Sequence, residues 1–477
     1  MRARRRRARR DRRGIALVMV LGAIAVLTIF LTELQEETTA ELSAALAERD
    51  ALKAEYHARS AVNLSRMLIA TEPTIRAAIG PILGMLMGGL GGQGPEQLPV
   101  WNFADMLLAP FNGAENAAAF SSVAGVDTST GKNLGLTGGG HFEVKIVDEE
   151  AKINLNVAAK GNLAIADQNR LAQQLLGLFN QEQYRPLFEA RDADDQFSDA
   201  PTICSAIIDW ADFDEQANGC NPTAATASAA AAGVEDNFYQ TIGLNYVRKN
   251  AGYDSLEELR MVRGMGDDFW ATFVDPDPTD PDKRLMTIWG KQQATVNIQT
   301  ANPLTIVSLI CAYAEQGTPA CVDPNETSKL LMGLSLVRGI TQGLVPIPNG
   351  NALMQVLEGK GGLGGMLLGA LGVQPIKIES KYKTDFKKSI SSRSNFFSIY
   401  AEGVVPGNKR ETRVRIHTVI DITGAQALSE ALSNLNNPGS TGGSAGTTTN
   451  LGQAAAGSYE QTLRTNPAGT VVYWRIE

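Results

Sequence analysis

An unbroken apolar run, Ile15 to Thr32, stands directly behind a block in which nine arginines crowd Met1–Arg13. Its eighteen residues make a helix of about 27 Å, close to the ~30 Å hydrocarbon core of a bilayer. A charged segment without proline extends from Glu33 to Ala70, and Leu42, Ala45, Leu52 and Tyr56 share one face of the helix it predicts. Glu72-Pro73 is expected to end or kink that helix. The period then changes. Phe142, Val144 and Ile146 alternate with Glu143 and Lys145, Asp148-Glu149-Glu150 is expected to turn, and Lys152–Asn156 to return, giving a strand pair over 140–157. Residues 162–310 carry a helical pattern, clearest in the amphipathic Leu171–Phe179. Strand alternation resumes in Phe396–Glu402, Thr412–Ile420 and Thr470–Ile476, an antiparallel meander whose last two strands flank a flexible Ser/Gly/Thr/Asn-rich loop, 434–457. The pattern predicts an α+β chain: a helical domain inserted into a sheet whose strands come from both ends.

Charge sets the orientation of the apolar run. An excess of arginine marks the cytoplasmic flank, so everything after about residue 33 is expected outside. A secretory signal peptide would have a shorter apolar core and a small-residue cleavage site behind it; here the run passes straight into Glu33-Leu34-Gln35-Glu36-Glu37. Without the first 14 residues, 34 basic residues face 50 acidic ones, a net charge of −16 against −8 for the whole chain. Such a body suits a polyanion poorly. The four cysteines fall into two close pairs, Cys204/Cys220 and Cys311/Cys321, which in an oxidising compartment imply two short disulfide loops. A four-cysteine metal site would need C-x-x-C spacing, which is absent. His57, His141 and His417 are too scattered to propose as a cluster.

Arg12-Arg13-Gly14-Ile15-Ala16-Leu17-Val18-Met19 resembles the leader junction of type IV pilins and type II secretion pseudopilins. The resemblance implies that a prepilin peptidase cuts between Gly14 and Ile15 and methylates Ile15. It also implies a glutamate at the fifth mature position, where this chain has Met19, a departure typical of the K-type minor pseudopilins. Lys152–Asn156, Ile207–Asp212, Tyr253–Met265, Val296–Ala301, Ser394–Phe397 and Trp474-Arg475 resemble that family in order. The fold implied by the resemblance is pilin-like: leader 1–14, helix 15–72 spanning the membrane over 15–32, Gly/Ala-rich insertion 73–139, first strands 140–160, helical domain 161–375 and C-terminal strands 376–477. Also implied are a place at the tip of a periplasmic pseudopilus, the other minor pseudopilins and the prepilin peptidase as partners, and the inner membrane as location. The Gly/Leu/Met-rich segments 78–95 and 359–373 either cover a core edge or present a sticky surface to a partner.

The densest carboxylate group is Asp209, Asp212 and Asp214, with Glu235 and Asp236 downstream and Asn218-Gly219 between. Calcium needs six to eight oxygens, and acidic side chains on a loop supply them; the spacing is not that of an EF-hand. The resembled family is calcium-binding, with ligands in its helical domain, so these five residues are the candidate ligands. Leu256–Gly266 looks like the turn of a helix-hairpin-helix module, where backbone amides meet a phosphate. Taken alone it would suggest an exported DNA receptor, but Glu257, Glu258, Asp267 and Asp268 surround it, so no nucleic-acid partner is expected and Met261 and Val262 are expected in the core. A minor type IV pilus subunit is the other rival reading. No G-x-S-x-G, P-loop or H-E-x-x-H occurs, and no enzymatic activity is expected.

Overall fold

The computed structural model describes residues 7–87, 96–112, 139–160, 165–221, 231–234, 238–341, 349–360, 365, 368–407, 410–425 and 468–477. In chain order it contains α1 (Arg7–Met87), α2 (Ala104–Leu108), β1 (His141–Asp148), β2 (Ile153–Asn154), α3 (Ile165–Phe179), α4 (Ala200–Ala211), β3 (Gln216–Asn218) and β4 (Ala231–Val234). Then come β5 (Met286–Thr287), β6 (Val296–Asn297), α5 (Pro303–Tyr313), α6 (Pro324–Thr341), α7 (Gly350–Leu357), α8 (Lys383–Lys388), β7 (Ile390–Ser391), β8 (Phe396–Val405), β9 (Thr412–Asp421) and β10 (Thr470–Ile476).

The main sheet has the order β1-β8-β9-β10, antiparallel throughout. The described residues between β1 and β8 form an insertion in which helices hold more residues than strands. α1 lies on one face of the sheet, and together these elements form the α+β fold, a long N-terminal helix packed on an antiparallel sheet, that the sequence pattern predicts. The helix buries the small residues Ala54, Ala58 and Ala61 where it comes closest to the sheet, and Val62, Ser65, Leu68 and Ile69 further along, at three- and four-residue spacing. Gly403 of β8 lets the two backbones meet closely, since a Cβ on it would fall on the Ala54 carbonyl oxygen. Leu42, Leu52 and Tyr56 do share a face, but it is the exposed one. Opposite Gly403, alanine rather than leucine marks the packed side because close approach is what the sheet demands there.

Three sequence expectations change. α1 passes through Pro73 and runs on to Met87. Ile69 and Ile75, on either side of the proline, pack in the same core, and this packing offsets the lost helical hydrogen bond. Glu72 also stays in place, accepting from the Leu98 N–H (2.8 Å) and pairing with Arg76 (3.1 Å). The second change is at 140–157. Lys152–Asn156 does not return along β1; β2 pairs in parallel with β5, and β1 pairs with β8. Third, 162–310 is less helical than its pattern, with long connected stretches around β5 and β6. The Asn112 side chain closes the outer edge of β1, accepting from the Phe142 N–H (2.7 Å) and donating to its carbonyl (2.6 Å).

The described residues form three cores. One lies between α1 and the sheet and takes in Trp101, whose ring meets Phe397 at 4.6 Å. A second fills the insertion around α3 and α4, with Phe179, Phe269 and Phe273 edge to face. The third lies around α5, and Leu368 and Val373 pack in it, so the described part of 359–373 covers a core. Of 78–95, residues 78–87 are the last turns of α1, and 88–95 lie outside the described residues.

Candidate functional site

α4 opens on Asp199, whose side chain accepts from the Thr202 N–H (2.9 Å), with Pro201 in the first turn. Its apolar face carries Ile203, Ile207, Ile208 and Ala211 into the core, leaving Asp209 and Asp212 at its C-terminal end. Asp209 accepts from the Asn218 N–H (2.8 Å) and from the Ser205 hydroxyl (3.1 Å), which ties the helix to β3. Asp212 is buried and its Oδ1 has no hydrogen-bond partner. Asp214, half-exposed, accepts from the Gln216 N–H (2.8 Å). Burial, with Asp214 adding to it, pushes the Asp209 carboxyl up to about 7. Burial and then repulsion from Asp209 and Asp214 push Asp212 up to about 8; Arg248 acts against both shifts. The Cys204–Cys220 disulfide closes this loop with a Cα–Cα distance of 6.1 Å, and Cys311–Cys321 ties α5 to the following turn at 5.4 Å.

The structure therefore brings Asp209, Asp212 and Asp214 into one electrostatic group, while Glu235 and Asp236 lie outside the described residues. Among the described residues no three His, Cys, Asp or Glu side chains gather closely enough to hold an ion alone. What fits a hard cation is the chemistry: an orphaned buried carboxylate oxygen beside like charges.

A second acidic group, expected to turn between two paired strands, is a buried joint instead. Asp148, Glu149 and Glu150 are all buried where the sheet, the insertion and the third core meet. Asp148 accepts from the hydroxyls of Ser394 (2.6 Å) and Thr300 (2.5 Å), from Asn297 Nδ2 (3.0 Å) and from the Glu150 N–H (2.9 Å). Burial still raises it to about 7, against those hydroxyls. Glu149 pairs with buried Lys152 (3.0 Å) and accepts from Thr287 Oγ1 (2.5 Å). Burial alone would raise its carboxyl, but Lys152 and the hydroxyls of Ser398 and Thr287 outweigh it and hold it low. Glu150 accepts from the Asn395 N–H (2.7 Å) and pairs with Lys291 (3.2 Å). The signal for this joint lay in the resembling stretches themselves. Lys152, Asn297, Thr300, Ser394 and Asn395 all come from them and all converge here.

The hairpin around Gly264 is occupied by the protein itself. Gly264 takes the left-handed conformation (φ 76°), and its N–H donates to Asp194 Oδ2 at 2.7 Å. Val262 is buried but Met261 is 39% exposed, so only one of the two is in the core: the short 3-10 turn Leu256–Met261 faces Met261 outward.

At the N-terminus, Gly14 to Thr32 is exposed along α1, Ile15 and Met19 included, and the most apolar eighteen-residue window has mean hydropathy 2.8. This helix is long and apolar enough to cross a membrane once. No family model and no curated sequence matches this chain. Among solved structures it is similar to a chain in the crystal structure of the GspK-GspI-GspJ complex from the enterotoxigenic Escherichia coli Type 2 Secretion System. The likeness covers 60% of this chain and 76% of that one, at 17% identity and a TM-score of 0.35.

Proposed function

We propose that this chain is a minor pseudopilin of type II secretion, anchored in the inner membrane with its N-terminus in the cytoplasm and its body in the periplasm. The observation that carries the reading is α1 itself: one helix that is exposed and apolar over Gly14–Thr32 and packed on an antiparallel sheet over its later turns. A subunit so built can leave the bilayer for a fibre without refolding. The leader junction adds cleavage between Gly14 and Ile15 by a prepilin peptidase.

Met19 and the insertion favour the tip. In a pilin-like fibre a fifth-position glutamate would pair with the N-terminal amine of a neighbouring subunit within the apolar core. An unpaired buried charge is costly, so a subunit with methionine there suits a position with nothing above it. The inserted domain adds bulk that a tip position tolerates. Its partners would be the other minor pseudopilins, and its role the export of folded proteins across the outer membrane, without catalysis of its own. Calcium is the proposed cofactor. Asp209, Asp212 and Asp214 would hold it, with Glu235, Asp236, backbone carbonyls and water completing an oxygen shell.

Intact-mass and N-terminal analysis of the protein from its native membrane tests the reading. A chain starting at methylated Ile15 is expected, together with loss of secretion when the gene is deleted. An uncut leader, or a cut elsewhere, would overturn the pilin-type reading; correct processing with undiminished secretion would overturn its assignment to that system.

A further inference from the structure

In a body of net negative charge the segment 377–393 is positive: Lys377, Lys381, Lys383, Lys387, Lys388 and Arg393 stand against only Glu379 and Asp385. Both acids are engaged, Glu379 by Lys381 (3.1 Å) and Asp385 by Arg170 (3.5 Å). Among the described residues Lys383, Lys387, Lys388 and Arg393 have no carboxylate within ion-pair distance, and Lys387, Lys388 and Arg393 are exposed. The support beneath them is rigid. Phe386 of α8 is fully buried against Tyr313 (5.7 Å between rings), whose hydroxyl meets that of Ser389 at 2.7 Å.

Lys387 and Arg393, with Lys291, Asn349, Asn351 and Ser392, line a cleft of 400 Å³. At its rim sits a carboxylate of the chain itself: Ser392 Oγ donates to Glu96 Oε2 at 2.6 Å. A carboxylate oxygen is thus held at the rim by a hydroxyl donor, with Lys387 and Arg393 lining the same cleft. Its position separates a protein partner from a lipid one. Gln97, next to Glu96, bonds both backbone groups of Ser394, and the Leu98 N–H bonds Glu72. The cleft is thus level with residue 72 of α1, forty residues beyond Thr32, or about 60 Å along the helix. Headgroups of the bilayer that α1 spans are out of reach.

We infer that this patch docks an acidic peptide segment of a partner protein, whose carboxylates enter the cleft beside Glu96. The inference does not depend on which secretion or pilus system the chain serves. The test uses the mature chain from Ile15, freed of the nine-arginine leader that would itself bind a polyanion, in detergent micelles with a fluorescent ten-glutamate peptide, read by anisotropy beside a ten-glutamine control. Binding of the acidic peptide alone is expected, weakening at least about tenfold between about 50 and about 300 mM salt. The K387E/K388E/R393E variant should lose it while keeping its circular dichroism spectrum, and R185E/R191E/R260E, with the same change in net charge, should keep it. No salt-sensitive binding, or equal binding by both variants, overturns the inference. Tighter binding of phosphatidylglycerol vesicles through the same residues would also overturn it, in favour of a lipid surface.

Discussion

Two runs of acidic residues, Asp148-Glu149-Glu150 and Asp209 to Asp214, look alike on paper and behave oppositely in the fold. The first is buried and answered: Asp148 has four donors, and Glu149 and Glu150 have lysines at 3.0 and 3.2 Å. The second is partly buried and left open, with an oxygen of Asp212 unpaired. A buried carboxylate with its donors in place acts as a joint, because Asp148 ties its own turn at Glu150 to Asn297 and Thr300 in one distant segment and to Ser394 in another. A buried carboxylate without them is held at a cost that a cation would relieve.

The largest effect should come from breaking the joint. Asp148→Ala would take the acceptor from the Ser394 and Thr300 hydroxyls and the Glu150 N–H at once, leaving Asn297 only its bond to Ser394, and should cost about 3–5 kcal/mol or prevent folding. Thermal unfolding of the whole chain in detergent measures it. If Asp148→Ala cost less than Asp212→Ala in calcium-free buffer, the contrast between the two clusters would collapse.

The disulfides come next. Opening Cys204–Cys220 or Cys311–Cys321 by paired serine substitution should each cost about 2–3 kcal/mol, since their loops are of similar length. Only the first should also weaken calcium binding in a calorimetric titration, because only that bond closes the loop of Asp209 and Asp212. Equal calcium affinity in both variants would separate the disulfide from the site.

Much of this architecture is legible along the chain. The C-terminal strands, the helical insertion and the close cysteine pairs are local signals, and local signals survive in a single sequence. What is not legible depends on distance. Asp148 meets Thr300 and Ser394 across 152 and 246 residues, so a local reading sees three acids between two strands and infers a turn. The packed side of α1 escapes the pattern for a related reason. Leu42, Leu52 and Tyr56 have the larger apolar area, but Gly403 on the far strand sets the spacing and selects alanine. Asp209 and Asp212 stand out in the sequence because their spacing is short; Asp212's missing partner is visible only in three dimensions.

Neutralising the open cluster should sharpen the comparison with a smaller shift. Asp209→Asn/Asp212→Asn should remove calcium binding, yet in chelator it should raise stability by about 1–2 kcal/mol, because it relieves repulsion between buried carboxylates. Unchanged calcium affinity would remove these residues from the ligand set. A loss of stability in chelator would mean that the carboxylates are answered after all.

The smallest effect is in the pH slope. Asp148 and Asp209 are pushed up to about 7 and Asp212 to about 8, all above the ordinary 3.8. Between pH 6.5 and 8 the folded chain therefore holds protons that the unfolded chain has lost, and stability must fall as pH rises. Each carboxyl still protonated contributes up to about 1.4 kcal/mol per pH unit. His417, which burial holds at about 4 against an unfolded 6.5, opposes this fall only at the lower end of the window, where the unfolded imidazole is still about half protonated. In chelator the Asp209→Asn/Asp212→Asn chain should show a shallower slope, the remainder belonging to Asp148. With calcium bound the wild-type slope should flatten or reverse, because the ion replaces the protons and binds more tightly as pH rises. An equal slope in wild type and variant, with and without calcium, would place all the titration at the joint and none at the candidate site.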